Sequence, residues 1–126
     1  MIKRIDHVAV MVKNLDISVK FYQDNFGFKK VLEREMLNSY VKKIVFLRLE
    51  GGESEIELMH IPEAMPVEGI HICFKTDSFL ADYQRMKEAG LPVVVEPVEV
   101  PVRYGEGTGH RAMFRGPDNE LLEIYG

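Results

Sequence analysis

Two histidines and two glutamates in this chain have the residue types and the placement to hold a divalent cation: His7, His71, Glu57 and Glu123. His7 lies in the segment Ile5 to Val12, and His71 lies in Gly69 to Phe74, 64 positions later. Glu57 lies between Ile56 and Leu58, and Glu123 between Leu122 and Ile124, 66 positions later. Imidazole nitrogen and carboxylate oxygen together suit Zn, Ni, Co, Mn or Fe. Taken singly, each residue also has an ordinary reading: a strand histidine satisfied by its packing, or a glutamate on a solvated face. The matched placement of all four sets the metal reading beside that one. The spacing differs from a local motif such as His-Glu-x-x-His, which fixes two ligands on one helical turn. Any convergence of these four must come from the fold.

The elements that would position them occur twice. Val8, Val10 and Val12 form one apolar, β-branched face of an opening strand. Asn14 then offers a helix N-cap, Leu15, Val19, Tyr22 and Phe26 recur at helical spacing, and Gly27 suits a left-handed end. The same signals return as Ile70, Ile72 and Phe74, then Ser78, then Phe79, Tyr83 and Met86, then Gly90. Strands are predicted at Lys29–Glu35, Val41–Glu50 and Glu55–Ile61, and again at Val93–Val95, Arg111–Phe114 and Leu121–Tyr125. Gly51-Gly52 and Pro117 to Asn119 supply turns. Each half reads β-α-β-β-β, module 1 over about 3–61 and module 2 over about 68–126, within one domain spanning 1–126. The predicted class is α+β: two βαβββ modules forming a curved, mostly antiparallel eight-stranded sheet around a concave site. Alternation places His7 with Ile5, Ala9 and Met11, and His71 with Gly69 and Cys73, each opposite a helix-covered face.

Composition narrows the function classes. The chain has 126 residues, 46% hydrophobic and 29% charged, enough apolar surface for one folded core. A net charge of -4, with cations and anions interleaved, excludes a nucleic-acid backbone as the main partner. No apolar run reaches the roughly 18 residues of a membrane span. Cys73 is the sole cysteine, which rules out an internal disulfide and fits a reducing compartment. The stretch Met1 to His7 lacks the apolar segment of a secretory signal, so the expected location is cytoplasmic.

The doubled pattern resembles the vicinal oxygen chelate superfamily, which includes glyoxalase I, extradiol dioxygenases, methylmalonyl-CoA epimerases and bleomycin-binding proteins. The segments that carry the resemblance are Asp6 to Val10, Phe21-Tyr22 with Phe26 to Phe28, Ile56 to Leu58, Gly69 to His71, and Gly116 to Ile124. The resemblance implies one divalent metal ion per site, with ligands on the first, fourth, fifth and eighth strands. Those positions fall on His7, Glu57, His71 and Glu123, the set associated with glyoxalase I. It further implies a lyase or isomerase that moves a proton on a small 2-oxo or hydroxyacyl substrate, or its thiol adduct, through a metal-stabilised enediolate. Glu123, or its counterpart Glu57, would be the catalytic base. A homodimer is implied on family grounds alone. The alternatives within the superfamily are an epimerase-like or extradiol-dioxygenase-like enzyme, or a metal-free binding protein of the bleomycin-resistance type. Met11 stands where glyoxalase I carries a glutathione-binding arginine, and His71-Ile72 stands where the epimerases carry two adjacent histidines.

Substrate contacts are expected from loops. Met36 to Tyr40 and the glycine-rich Arg103 to His110 are long enough to close over a pocket. Arg103 or Arg111 would meet a substrate carboxylate through paired hydrogen bonds, with Tyr104 beside them. Cys73 reads as a small hydrophobe buried in the sheet, and His60 and His110 as surface or supporting histidines.

Overall fold

The computed structural model describes residues 1–126 except Ile2, Arg4, Asn38, Ser39, Pro66, Val67, Glu68 and Arg103. It divides into two compact units, Met1–Met65 and Pro66–Gly126. Unit 1 contains β1 (His7–Val12), α1 (Leu15–Phe26), β2 (Lys29–Glu35), β3 (Lys43–Arg48) and β4 (Glu55–His60). Unit 2 contains β5 (His71–Lys75), α2 (Phe79–Glu88), β6 (Val93–Pro101), β7 (Thr108–Arg115) and β8 (Leu121–Tyr125). The doubled βαβββ order is as expected. The strands pair as two four-stranded sheets, β1-β4-β3-β2 and β5-β8-β7-β6. In each sheet the opening and closing strands are parallel, and the remaining pairs are antiparallel. Among the described residues no helix is long and apolar enough to cross a membrane.

The parallel pair follows from the helix. A strand that must lie parallel to its sheet neighbour needs a crossover, and α1 and α2 each begin the connection that supplies it. Asn14 caps α1, its Oδ1 accepting from the Ile17 amide at 3.1 Å. Gly27 ends it at φ 75°, where its amide donates to Gln23 O. That left-handed backbone is one L side chains rarely adopt. The buried stripe of α1 is Leu15, Ser18 and Tyr22. Val19 and Phe26, expected in that stripe, are only half-buried, because the helix presents the i, i+3, i+7 row to its sheet. Val10, Val12, Val45, Leu47, Ile56 and Leu58 are buried in the core of unit 1 as well.

Unit 2 repeats the scheme with different residues. Phe79, Tyr83 and Met86 of α2 pack on Ala112, Phe114, Leu122 and Ile124. Tyr83 stacks against Phe79 and lies 5.7 Å from the Phe114 ring, and its hydroxyl donates to Glu96. That bond and partial burial hold the Tyr83 phenol above its usual range. The helix closes in a Schellman arrangement: Leu91 N donates to Met86 O and Gly90 N to Lys87 O, with Gly90 at φ 87°. Its start departs from expectation. Ser78 occupies the cap position but makes no side-chain cap bond. Thr76 Oγ1 accepts from the Ser78 amide and donates to Asp82 Oδ2 instead.

Candidate metal centre

In each unit, alternation along the strands separates two chemistries. Val10 and Val12 of β1 and Ile56 and Leu58 of β4 are buried against the helix. His7 and Glu57 therefore emerge on the opposite face. Ala9 is the direct partner of Glu57, so His7 reaches it along a diagonal. His7 Nε2 stands 3.2 Å from Glu57 Oε2. On its other side, His7 Nδ1 donates to Asp6 Oδ2 at 3.0 Å, and Phe46 meets the ring edge-on at 5.3 Å. A carboxylate accepts only, so this bond fixes the proton on Nδ1 and leaves Nε2 toward Glu57. The hydrogen bond His7 donates to Asp6 pushes its pKa above the ordinary value, burial opposes the rise, and the Glu57 charge adds to it.

Unit 2 builds the same pair from its own strands. His71 Nε2 stands 3.2 Å from Glu123 Oε2, with Leu122 and Ile124 buried behind the sheet. The turn before β8 sets the register: Asn119 adopts φ 66° and its amide donates to Gly116 O. The position equivalent to Ala9 is Cys73, directly opposite Glu123. Its thiol donates to Glu123 Oε1 at 3.6 Å. Cys73 is exposed, which corrects the expectation of a buried hydrophobe. Its β5 position shares the face of His71, and the helix covers the other one.

The donor chemistry of each pair fits two ligands of a divalent ion. Two donors each about 2.0–2.2 Å from one ion, at tetrahedral to right angles, stand roughly 2.8–3.6 Å apart. Both imidazole–carboxylate separations, 3.2 Å, lie in that range. The glutamates are largely covered, at 13% and 12% side-chain exposure, while the histidines remain open at 36% and 46%. Among the described residues the candidate ligands stand as these two pairs, and no group of three or more His, Cys, Asp or Glu is placed to hold an ion.

The remaining expected contacts divide. Arg111 lies on the face of Glu123, with Nη1 4.0 Å from Oε2. Tyr104 is exposed in the loop between β6 and β7. Arg103 lies outside the described residues. His110 stacks on Phe79 at 5.5 Å and so belongs to the helix-covered side. Sequence reasoning passed over Asp6, whose only signal was adjacency to His7 at the mouth of the strand.

Comparison with known proteins gives a consistent picture. The family model described as Glyoxalase/Bleomycin resistance protein/Dioxygenase superfamily matches residues 4–124. An uncharacterized protein, YwbC, from Bacillus subtilis is 32% identical, with 99% of this chain and 98% of that protein covered. The ethylmalonyl-CoA/methylmalonyl-CoA epimerase of Cereibacter sphaeroides is 30% identical over 75% of this chain and 76% of its own. A crystallised variant of glyoxalase I from Zea mays superposes with a TM-score of 0.76 at 22% identity. It covers 97% of this chain and 44% of the maize chain, a likeness of fold. Superfamily members commonly use a divalent metal and act on or bind small molecules, and they include enzymes. With nearly its whole length matched, the chain belongs to the glyoxalase/bleomycin resistance protein/dioxygenase superfamily.

Proposed function

We propose that this protein is a divalent-metal-dependent lyase or isomerase of the glyoxalase type, moving a proton on a small 2-oxo or hydroxyacyl compound or its thiol adduct. The observation that carries the reading is the repeated pair: His7 with Glu57, and His71 with Glu123, each at 3.2 Å and at equivalent places in the two repeats. These four residues would hold the ion. A bound divalent ion supplies Lewis acidity toward adjacent substrate oxygens.

The protein's own groups do the rest. Glu123, or its counterpart Glu57, takes the proton from one carbon and returns it to the neighbouring one, since a carboxylate can accept and release a proton without leaving its strand. Asp6 orients the His7 ring, as carboxylates supporting metal-ligating histidines do. On family grounds the working unit is a homodimer of single-domain chains.

The second reading is an epimerase acting on an acyl thioester, favoured by the 30% identical relative from Cereibacter sphaeroides. It would use the same four residues, but the proton would leave the carbon beside the thioester carbonyl and return to the opposite face of that same carbon.

Metal content of the purified protein, measured by mass spectrometry on wild type and His71→Ala, tests the site. The expected result is about one transition metal per chain in wild type and a clear loss in the variant. Little metal in both, after reconstitution with Ni, Zn, Mn and Fe, would overturn the reading in favour of a metal-free binding protein.

A further inference from the structure

Beside the His71–Glu123 pair, β5, β8 and β7 carry one cross-strand row on the same face: Lys75, Tyr125 and Arg111. We propose that this row is a carboxylate-binding subsite, so that the molecule taken by the candidate site is an organic acid. The inference rests on the site proposed above and names its substrate class.

Three observations carry it. Among the described residues, the polar contacts of Arg111 are one long ion pair and one weak hydrogen bond. Its Nη1 is 4.0 Å from Glu123 Oε2, beyond hydrogen-bonding range, and 3.9 Å from the thioether of Met113, a weak acceptor. The guanidinium has five donors, and its side chain is 39% exposed. Second, Lys75 Nζ is held 4.4 Å over the Tyr125 ring, next to Arg111 in the row. Two cations thus flank one phenol, and Glu123 is the one acid on this face among the described residues of β5, β7 and β8. That patch is cationic in a chain whose net charge is -4.

The third observation is an internal control. The equivalent row in unit 1 is Met11, Met59 and Ile44. The same sheet is therefore built without charge at these positions, and packing does not call for Lys75 and Arg111. A guanidinium fork with an ammonium beside it matches the planar, singly charged carboxylate. With Glu123 offsetting one of the two cations, about one positive charge remains, which suits a monoanion better than a dianionic phosphate.

The test uses isotope-labelled protein stripped of metal and follows the Arg111 Nε–Hε resonance during titration. The probes are pyruvate, its uncharged ester methyl pyruvate, and inorganic phosphate. The proposal expects a saturable shift with pyruvate and at least about tenfold weaker responses to the other two. Lys75→Met should weaken pyruvate binding several-fold at the Arg111 resonance, and Arg111→Met should abolish the pyruvate-induced shifts of the β7 and β8 backbone amides, with the rest of the backbone spectrum confirming that both variants are folded. No shift with pyruvate, an equal response to methyl pyruvate, or tighter binding of phosphate would overturn the subsite. Zn(II) titration of the same wild-type sample, read at the His71 ring, separates the two readings. A pyruvate shift at Arg111 without a zinc shift at His71 sinks the metal site and leaves the subsite standing. The converse sinks the subsite alone.

Discussion

Glu57 and Glu33 are carboxylates on the two faces of one sheet, and their partners give them opposite roles. Glu57 faces an imidazole at 3.2 Å, a partner that can exchange its proton for a metal ion. Glu33 faces two ammonium groups, Lys30 at 2.7 Å and Lys43, and these hold its carboxyl at about 2. A carboxylate with a lowered folded-state value contributes stability that is present above about pH 4.5 and lost as the pH falls toward 2. Glu33 is exposed, so the contribution is small. Urea midpoints of wild type and Glu33→Gln should therefore differ slightly at pH 7, and the gap should narrow steadily below pH 4.5. A gap independent of pH would remove the lysine pairs as its cause. At this scale the sequence was partly legible. Alternation placed His7, Glu57, His71 and Glu123 on one kind of face, because a two-residue period needs no tertiary information. The exposure of Cys73 was missed, because residue type favoured burial while its register with Glu123 dictated the open face.

Among the elements, the two helix starts looked alike as sequence and differ as structure. Asn14 and Ser78 both occupy cap positions, yet only Asn14 puts its side-chain oxygen on a helix amide. Ser78 Oγ turns instead to Asp77 Oδ1 at 3.0 Å, and Thr76 binds the Ser78 amide. Asn14→Ala should accordingly cost about 1 kcal/mol in chemical denaturation. Ser78→Ala should cost less than about 0.5 kcal/mol, as an ordinary surface change does. Equal losses would mean that Ser78 caps in solution. Strand β6 shows the other limit of local reading. It runs Val93–Pro101, far beyond the expected Val93–Val95. Pro97 has no amide to give, which reads as a strand end. The register shifts between Val93 and Val95 and between Val95 and Val98, and β6 lies at the sheet edge, where a missing donor is tolerated. Edge position and bulges belong to the sheet as a whole and leave no local sequence signal.

For the whole molecule, the repeat was the most legible feature, since each unit carries the same strand order with its parallel pair between opening and closing strands. What differs between the units is the dressing of the site face: Ala9, Phe46 and Ile44 around Glu57, against Cys73, Met113 and Arg111 around Glu123. Such a difference is invisible to a search for repeats, which scores what the halves share. The shared part sets the final expectation. If His7, Glu57, His71 and Glu123 are ligands as proposed, the ion binds the folded chain far better than the unfolded one and raises the melting temperature. At a hundredfold excess over the dissociation constant the gain is about 2.7 kcal/mol, or roughly 10 °C for a chain of this size. Scanning calorimetry with and without Zn(II) or Ni(II) should show that rise in wild type and lose most of it in both His7→Ala and His71→Ala. A rise that survives either substitution would overturn the proposed ligand set, because that proposal names each histidine as a ligand.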